Sequence, residues 1–352
     1  MKSLSLFSSN DSINYYLQKF DLLNAKRVAD KEVQKLKQDP YSWFLRGEVY
    51  TAISKDREQK FLTHDNALIE ACKCYSKTAT LARKSGKVSS TYISKLSKCQ
   101  QDLTQNGNAA FKVQDYEKAN NFYSESLKIT TQLNQINRKI DFDTVTLFNQ
   151  ALVLEKLGDT ESAKQNYLKL LSIKYSNPVL YSNLAYIYKG QEQYQNAIKT
   201  IEAGLKIYPY EKNLLVDWVN FHIITGKQEA ILNDLKQKVQ QQKNNTNLHF
   251  LLASLYDNIS FTLDAEAHYK KAIDLDSSYI VAAYNLAVMY YNLAMDKNKL
   301  LNELDRNSEN FKKIISERNI LLKKAEPYFK KATPVNPQEI ERIIKNIRKS
   351  IG

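Results

Sequence analysis

Four histidines, three cysteines and 38 acidic residues are the groups in this 352-residue chain that could carry chemistry, so their spacing comes first. His64, His222, His249 and His268 stand apart, and no HExxH string sets two imidazoles and a carboxylate on one helix face, as a zinc hydrolase requires. Cys72 and Cys74 would point about 200° apart on a helix and cannot chelate one ion together. An odd cysteine count (Cys99 is the third) without CxxC spacing also argues against a disulfide framework, so buried thiols are expected. No glycine-rich phosphate loop or dinucleotide fingerprint occurs, and no GxSxG elbow. The carboxylates are scattered, and nothing pairs a nucleophile with a base. The chain is expected to be no enzyme and to need no cofactor and no metal.

The elements that carry these residues are set by composition. Only 8 glycines and 6 prolines are present, too few for the turns of a β-sandwich or an α/β enzyme. Long helices with short connections are favoured, and 43% hydrophobic residues suffice for a core. The formal charge is +13, of which +6 falls in residues 296–352, with 14 Lys/Arg against 8 Asp/Glu. Such a balance can serve nucleic acid or anionic lipid, but mixed Lys, Glu and Asp on helix faces read first as solvated surface. The longest apolar run, Tyr279–Met295, is broken by Asn285 and Asn292 and falls short of the ~20 residues that span a bilayer. Serines interrupt the apolar residues of the first ten positions, so no leader is expected. As written the chain is expected to be cytoplasmic, or periplasmic if a leader has been trimmed.

A period runs through the chain. Small residues recur at Ala151, Ala185, Ala253 and Ala287, with Val219 in the vacant step, every 34 positions. Ala163, Ala197, Ile231 and Ala265 repeat the interval, as do Leu154, Tyr188, His222, Tyr256 and Tyr290, and Tyr167, Ile201, Leu235 and Tyr269. In residues 178–211 the tracks combine as Tyr181, Leu184, Ala185 and Tyr188, then Ala197, Ile201, Gly204 and Pro209.

That combination resembles the tetratricopeptide repeat, a 34-residue helix–turn–helix unit, here in a bacterial-type multi-repeat form. The resemblance implies an all-α fold, a TPR α-solenoid in which antiparallel helix pairs wind into a right-handed superhelix. One pair cannot bury both its apolar faces, so neighbours must stack, with alanine where helices cross.

Extending the register gives the expected organisation: a disordered stretch over 1–10, a lone leading helix over 11–39, and a degenerate repeat with an insertion over 40–99. A repeat with an extended loop follows over 100–143, the excess falling around Thr131–Asp143 as a loop or as extended helix ends, then repeats over 144–177 and 178–211. Residues 212–245 form a degenerate repeat and 246–279 a good one. Residues 280–337 hold a split repeat, because Tyr290 to Ala325 exceeds the usual interval by 26 residues, predicted to form a helical hairpin. Pro327 predicts a kink or a late helix start. A capping helix over 338–352 would bury Ile340, Ile343, Ile344 and Ile347.

In the resembled family the first helices line the concave face and take peptides or helices of other proteins. The matching positions here are Phe148 and Asn149; Ser182, Asn183 and Tyr186; Asn220; Phe250; and Tyr284 and Asn285. Asn149, Asn183 and Asn285 share one register position, where amides can both donate to and accept from a peptide backbone. Phe148, Phe250 and Tyr284 share another and would offer apolar anchors. The competing reading is that these side chains pack sideways against neighbouring repeats. The implied function is a protein-interaction scaffold. Nucleic-acid binding through the basic surface and membrane-associated assembly through the last helix are the lesser readings.

Overall fold

In the computed structural model the described residues are 8–56, 66–136 and 143–351, and among them every regular element is helical. The chain divides into two compact units, Met1–Ser176 and Asn177–Gly352. The first holds α1 (Ser9–Gln18), α2 (Leu22–Lys35), α3 (Pro40–Lys55), α4 (Ala67–Lys84), α5 (Ser90–Lys112), α6 (Tyr116–Ile136), α7 (Thr144–Lys156) and α8 (Thr160–Ser172). The second holds α9 (Pro178–Gly190), α10 (Tyr194–Ile207), α11 (Lys212–Ile224), α12 (Gln228–Gln241), α13 (Thr246–Asn258), α14 (Thr262–Leu275), α15 (Ile280–Leu301), α16 (Glu309–Ala332) and α17 (Pro337–Ile351). Each unit is an α-solenoid of helix pairs, in which a first helix packs on its second and on the helices of the next pair.

Short polar residues start these helices. Asp39, Asp143, Asp159, Asn177 and Asn245 each accept a backbone N–H of the first turn, and Pro40 and Pro178 sit where a missing N–H costs nothing. Within six of the pairs the turn is a left-handed residue closed by a Schellman bond. It falls at Gly158, Glu192, Gly226 and Ser260, again every 34 positions, and also at Phe20 and Gln114. The bonds include Gln193 N–H to the Tyr188 carbonyl and Phe261 N–H to the Tyr256 carbonyl.

The alanine tracks mark the crossings. Ala151, Ala185, Ala253 and Ala287 are fully buried, as are Ala163, Ala197 and Ala265. The tightest crossings use glycine: a Cβ on Gly107 would lie 2.5 Å from the Tyr123 ring, and one on Gly47 would lie 2.7 Å from Tyr75.

Several segments differ from the expectation. Residues 11–39 are not one lone helix, because Phe20 adopts φ 53° and folds α1 back on α2 as a complete pair. Helix begins at Ser9, inside the stretch expected to be disordered, with Ser8 as its cap; residues 1–7 lie outside the described residues. The boundary drawn at 99/100 falls within α5, which runs unbroken from Ser90 with Ser89 as its cap. Of the two alternatives for the excess around Thr131–Asp143, extended helix holds as far as Ile136, where α6 ends; 137–142 lie outside the described residues, as do 57–65 of the insertion after α3. Helix α16 passes through Pro327 without a late start. It pairs with the long α15, with Lys297 Nζ 2.6 Å from Glu317. On α17, Ile340, Ile344 and Ile347 are buried and Arg348 reaches Glu326 at 2.9 Å.

Candidate functional site

The first helices of the second unit lie side by side, α9 next to α11 and α11 next to α13. Between α9 and α11 their shared face opens into a pocket of about 370 Å³, whose lining includes Val179, Ser182, Asn183, Tyr186, Val216 and Asp217. One carboxylate dominates it. Asp217 is 5% exposed and accepts two hydroxyl hydrogen bonds, Ser182 Oγ to Oδ2 and Tyr186 Oη to Oδ1, both 2.7 Å. Burial, then the bond to Asp217, push the Tyr186 phenol up to about 12, so it remains a donor across the neutral range. Its ring packs edge-on against Phe221 at 5.7 Å and carries Lys189 Nζ at 5.6 Å, while much of its surface stays open to solvent.

Why the face opens here follows from the register. The position of Ser182 is held by Phe148 one repeat earlier, by Val216 one later, then by Phe250 and Tyr284. Where it is aromatic, the ring is spent inside the fold. Phe148 packs on Tyr167 and Tyr175, with centroids 6.0 and 5.8 Å away; Phe250 packs on Tyr269 and Tyr279, at 6.1 and 5.4 Å. Tyr284 lies edge-on to Phe329 at 6.4 Å. Where the position is serine and then valine, no ring fills the space, and the pocket remains.

The expected groove residues therefore separate. Ser182, Asn183 and Tyr186 come together at the pocket, whereas Phe148, Phe250 and Tyr284 pack within their units. Asn149 donates to the Asn108 side chain at 3.2 Å, and Asn285 lies close enough to the Tyr269 hydroxyl to influence its titration. Asn220 is exposed on α11 outside the pocket lining. The residue the sequence reading passed over is Asp217. It occupies the Asn149/Asn183/Asn285 register position in the degenerate repeat, so the 34-residue step would have found it.

The histidines are used internally where they are described. His222 Nδ1 lies 2.8 Å from the Trp218 carbonyl. His249 Nε2 faces the Lys243 carbonyl at 2.9 Å and so carries its proton there, which leaves His249 Nδ1 to accept from His268 Nδ1 at 2.8 Å. Burial first, then the neighbouring His249, lower the His268 pKa. His64 lies outside the described residues. The three cysteines are buried thiols. Among the described residues no group of three or more His, Cys, Asp or Glu could hold a metal ion, and no helix is long and apolar enough to cross a membrane.

Over residues 144–275, helix pairs repeating every 34 positions, turned by a left-handed residue and packed through small side chains, define an α-solenoid repeat. The tetratricopeptide-repeat profile matches residues 145–177 and 179–211, so the chain carries tetratricopeptide repeats over that stretch. It is 22% identical over 148 residues to the BBSome complex member BBS4 of Bos taurus, and 25% identical over 137 residues to that of Xenopus tropicalis. Those matches cover 42% and 38% of this chain but only 28% and 26% of the relatives. Among solved structures, the MamA protein is 13% identical, with a TM-score of 0.41 over 51% of this chain and 92% of its own. YrrB, described as a TPR protein with an unusual peptide-binding site, is 18% identical, with a TM-score of 0.38 over 62% and 97%.

Proposed function

We propose that the protein is a non-catalytic interaction scaffold that holds a peptide or helical segment of another protein on the face shared by α9 and α11. The observation that carries this is the open pocket beside Ser182, at a register position which an internal ring fills in three other repeats. A half-exposed Tyr186 over a buried polar floor suits an anchoring side chain from outside, since aromatic residues in desolvated pockets dominate protein–protein affinity. The repeat family and the BBSome-member relatives support a scaffold in general terms, and the groove is the part proposed here.

Ser182→Phe tests it by supplying from within the ring that the pocket lacks. Affinity capture from the native cell, with co-purified proteins quantified for wild type and variant, should show a set of proteins lost from the variant while its thermal unfolding is unchanged. Equal recovery of every protein by the two would overturn the groove.

A further inference from the structure

We infer that the pocket between α9 and α11 takes an arginine side chain of the partner segment, an inference that rests on the groove reading above. Asp217 is almost wholly buried, yet among the described residues no cation lies within ion-pair distance of it; its two bonds come from neutral hydroxyls. A buried carboxylate is expensive unless it is both hydrogen-bonded and paired with a positive charge, and here only the first condition is met within the chain. Lys189, the cation on the same face of α9, is placed over the Tyr186 ring.

The geometry narrows the cation. Ser182 occupies Oδ2 and Tyr186 occupies Oδ1, one bond each, so each oxygen keeps a lone pair for a further donor. One open acceptor site on each oxygen of the same carboxylate suits the forked N–H groups of a guanidinium better than a single ammonium. Tyr186 adds an aromatic face against which a guanidinium plane stacks. Val179 and Val216 offer apolar wall for the methylene stem. Glu211, at the rim, caps α11 through Leu214 N–H at 2.7 Å and adds a second negative charge at the mouth. The overall charge of +13 opposes a basic ligand at long range, which makes this local acidic floor the feature that would select one.

The test uses the full chain, fluorescently labelled, on an array of 12-residue peptides. Sequences are randomised except for a central residue that is arginine, its neutral isostere citrulline, lysine, leucine or glutamate. Wild type should favour arginine over citrulline at the centre. Asp217→Asn, which keeps both hydroxyl partners, should abolish that preference, weakening the best arginine peptides by about 30-fold or more. Tyr186→Phe, which removes one neutral donor from Asp217, should keep or increase it. The arginine–citrulline contrast needs no variant and stands even if Asp217→Asn fails to fold. Peptides bound equally with arginine and citrulline, yet lost on Ser182→Phe, would overturn the arginine and leave the groove standing. No peptide bound by wild type above the Ser182→Phe background would overturn both.

Discussion

Two pocket-lining carboxylates, one in each unit, show how a charge can be answered inside the chain or left open. In the first unit Glu48 of α3 lines a pocket of about 530 Å³ with Leu17, Phe20, Thr51 and Lys95. Its charge is answered inside the chain: Lys95 Nζ lies 2.7 Å away and the Tyr75 hydroxyl donates at 2.5 Å. In the second unit Asp217 has hydroxyl donors alone. A phenol donates to each carboxylate, Tyr75 to Glu48 and Tyr186 to Asp217, so the difference lies in the cation. Completing a buried or half-buried charge inside the protein stabilises the fold, whereas leaving it for a partner stabilises the complex. The aromatic register repeats the lesson without charge, since Phe250 fills its own repeat and Ser182 does not.

Substitutions that exchange these roles sharpen the comparison. The largest effect is expected for Phe250→Ala, which would empty a filled repeat into a copy of the pocketed one. Loss of its packing on Tyr269 and Tyr279 should cost about 3 kcal/mol, read from urea midpoints. An unchanged midpoint would mean the ring is not structural. Next, Ala185→Leu breaks the frame on which both halves of the comparison depend. Overpacking a fully buried crossing should cost about 2 kcal/mol. Lys95→Met then makes Glu48 resemble Asp217. Both partners are partly exposed, so about 1 kcal/mol is expected, and a loss beyond about 3 kcal/mol would place the pair in a much drier site than the structure does.

The smallest effect concerns pH in the filled repeat. The His268 pKa is lowered in the folded state, chiefly by burial, so the unfolded chain binds the proton first as pH falls. Its contribution is complete above the ordinary histidine value of about 6.5 and declines as pH drops below it. Urea midpoints at pH 7.5 and 5.5 should therefore differ less for His268→Gln than for wild type. Identical differences would remove His268 from the account.

The 34-residue step of Ala151, Ala185, Ala253 and Ala287 was legible because one crossing geometry recurs and tolerates only a small side chain. The same step placed Ser182, Asn183 and Tyr186 together. It did not reveal that Phe148, Phe250 and Tyr284 turn inward, because their position can face a groove or a neighbouring helix. That choice depends on the partner ring, supplied by Tyr167, Tyr269 and, 45 positions away in sequence, Phe329.

The helix-pair architecture and its period are written in the residue pattern, since both follow from local spacing and from a contact that the regular repeats make alike. The left-handed turns show the limit: glycine announces them at 158 and 226, while Glu192 and Ser260 adopt the same backbone unannounced. The extra helix pair at the start was decided by such a turn, at Phe20. Which carboxylate is neutralised emerges with the packing, because Lys95 reaches Glu48 from another helix 47 residues along the chain, and no cation reaches Asp217 among the described residues. Charge pairing is settled by distances across helices, and a linear pattern does not contain them.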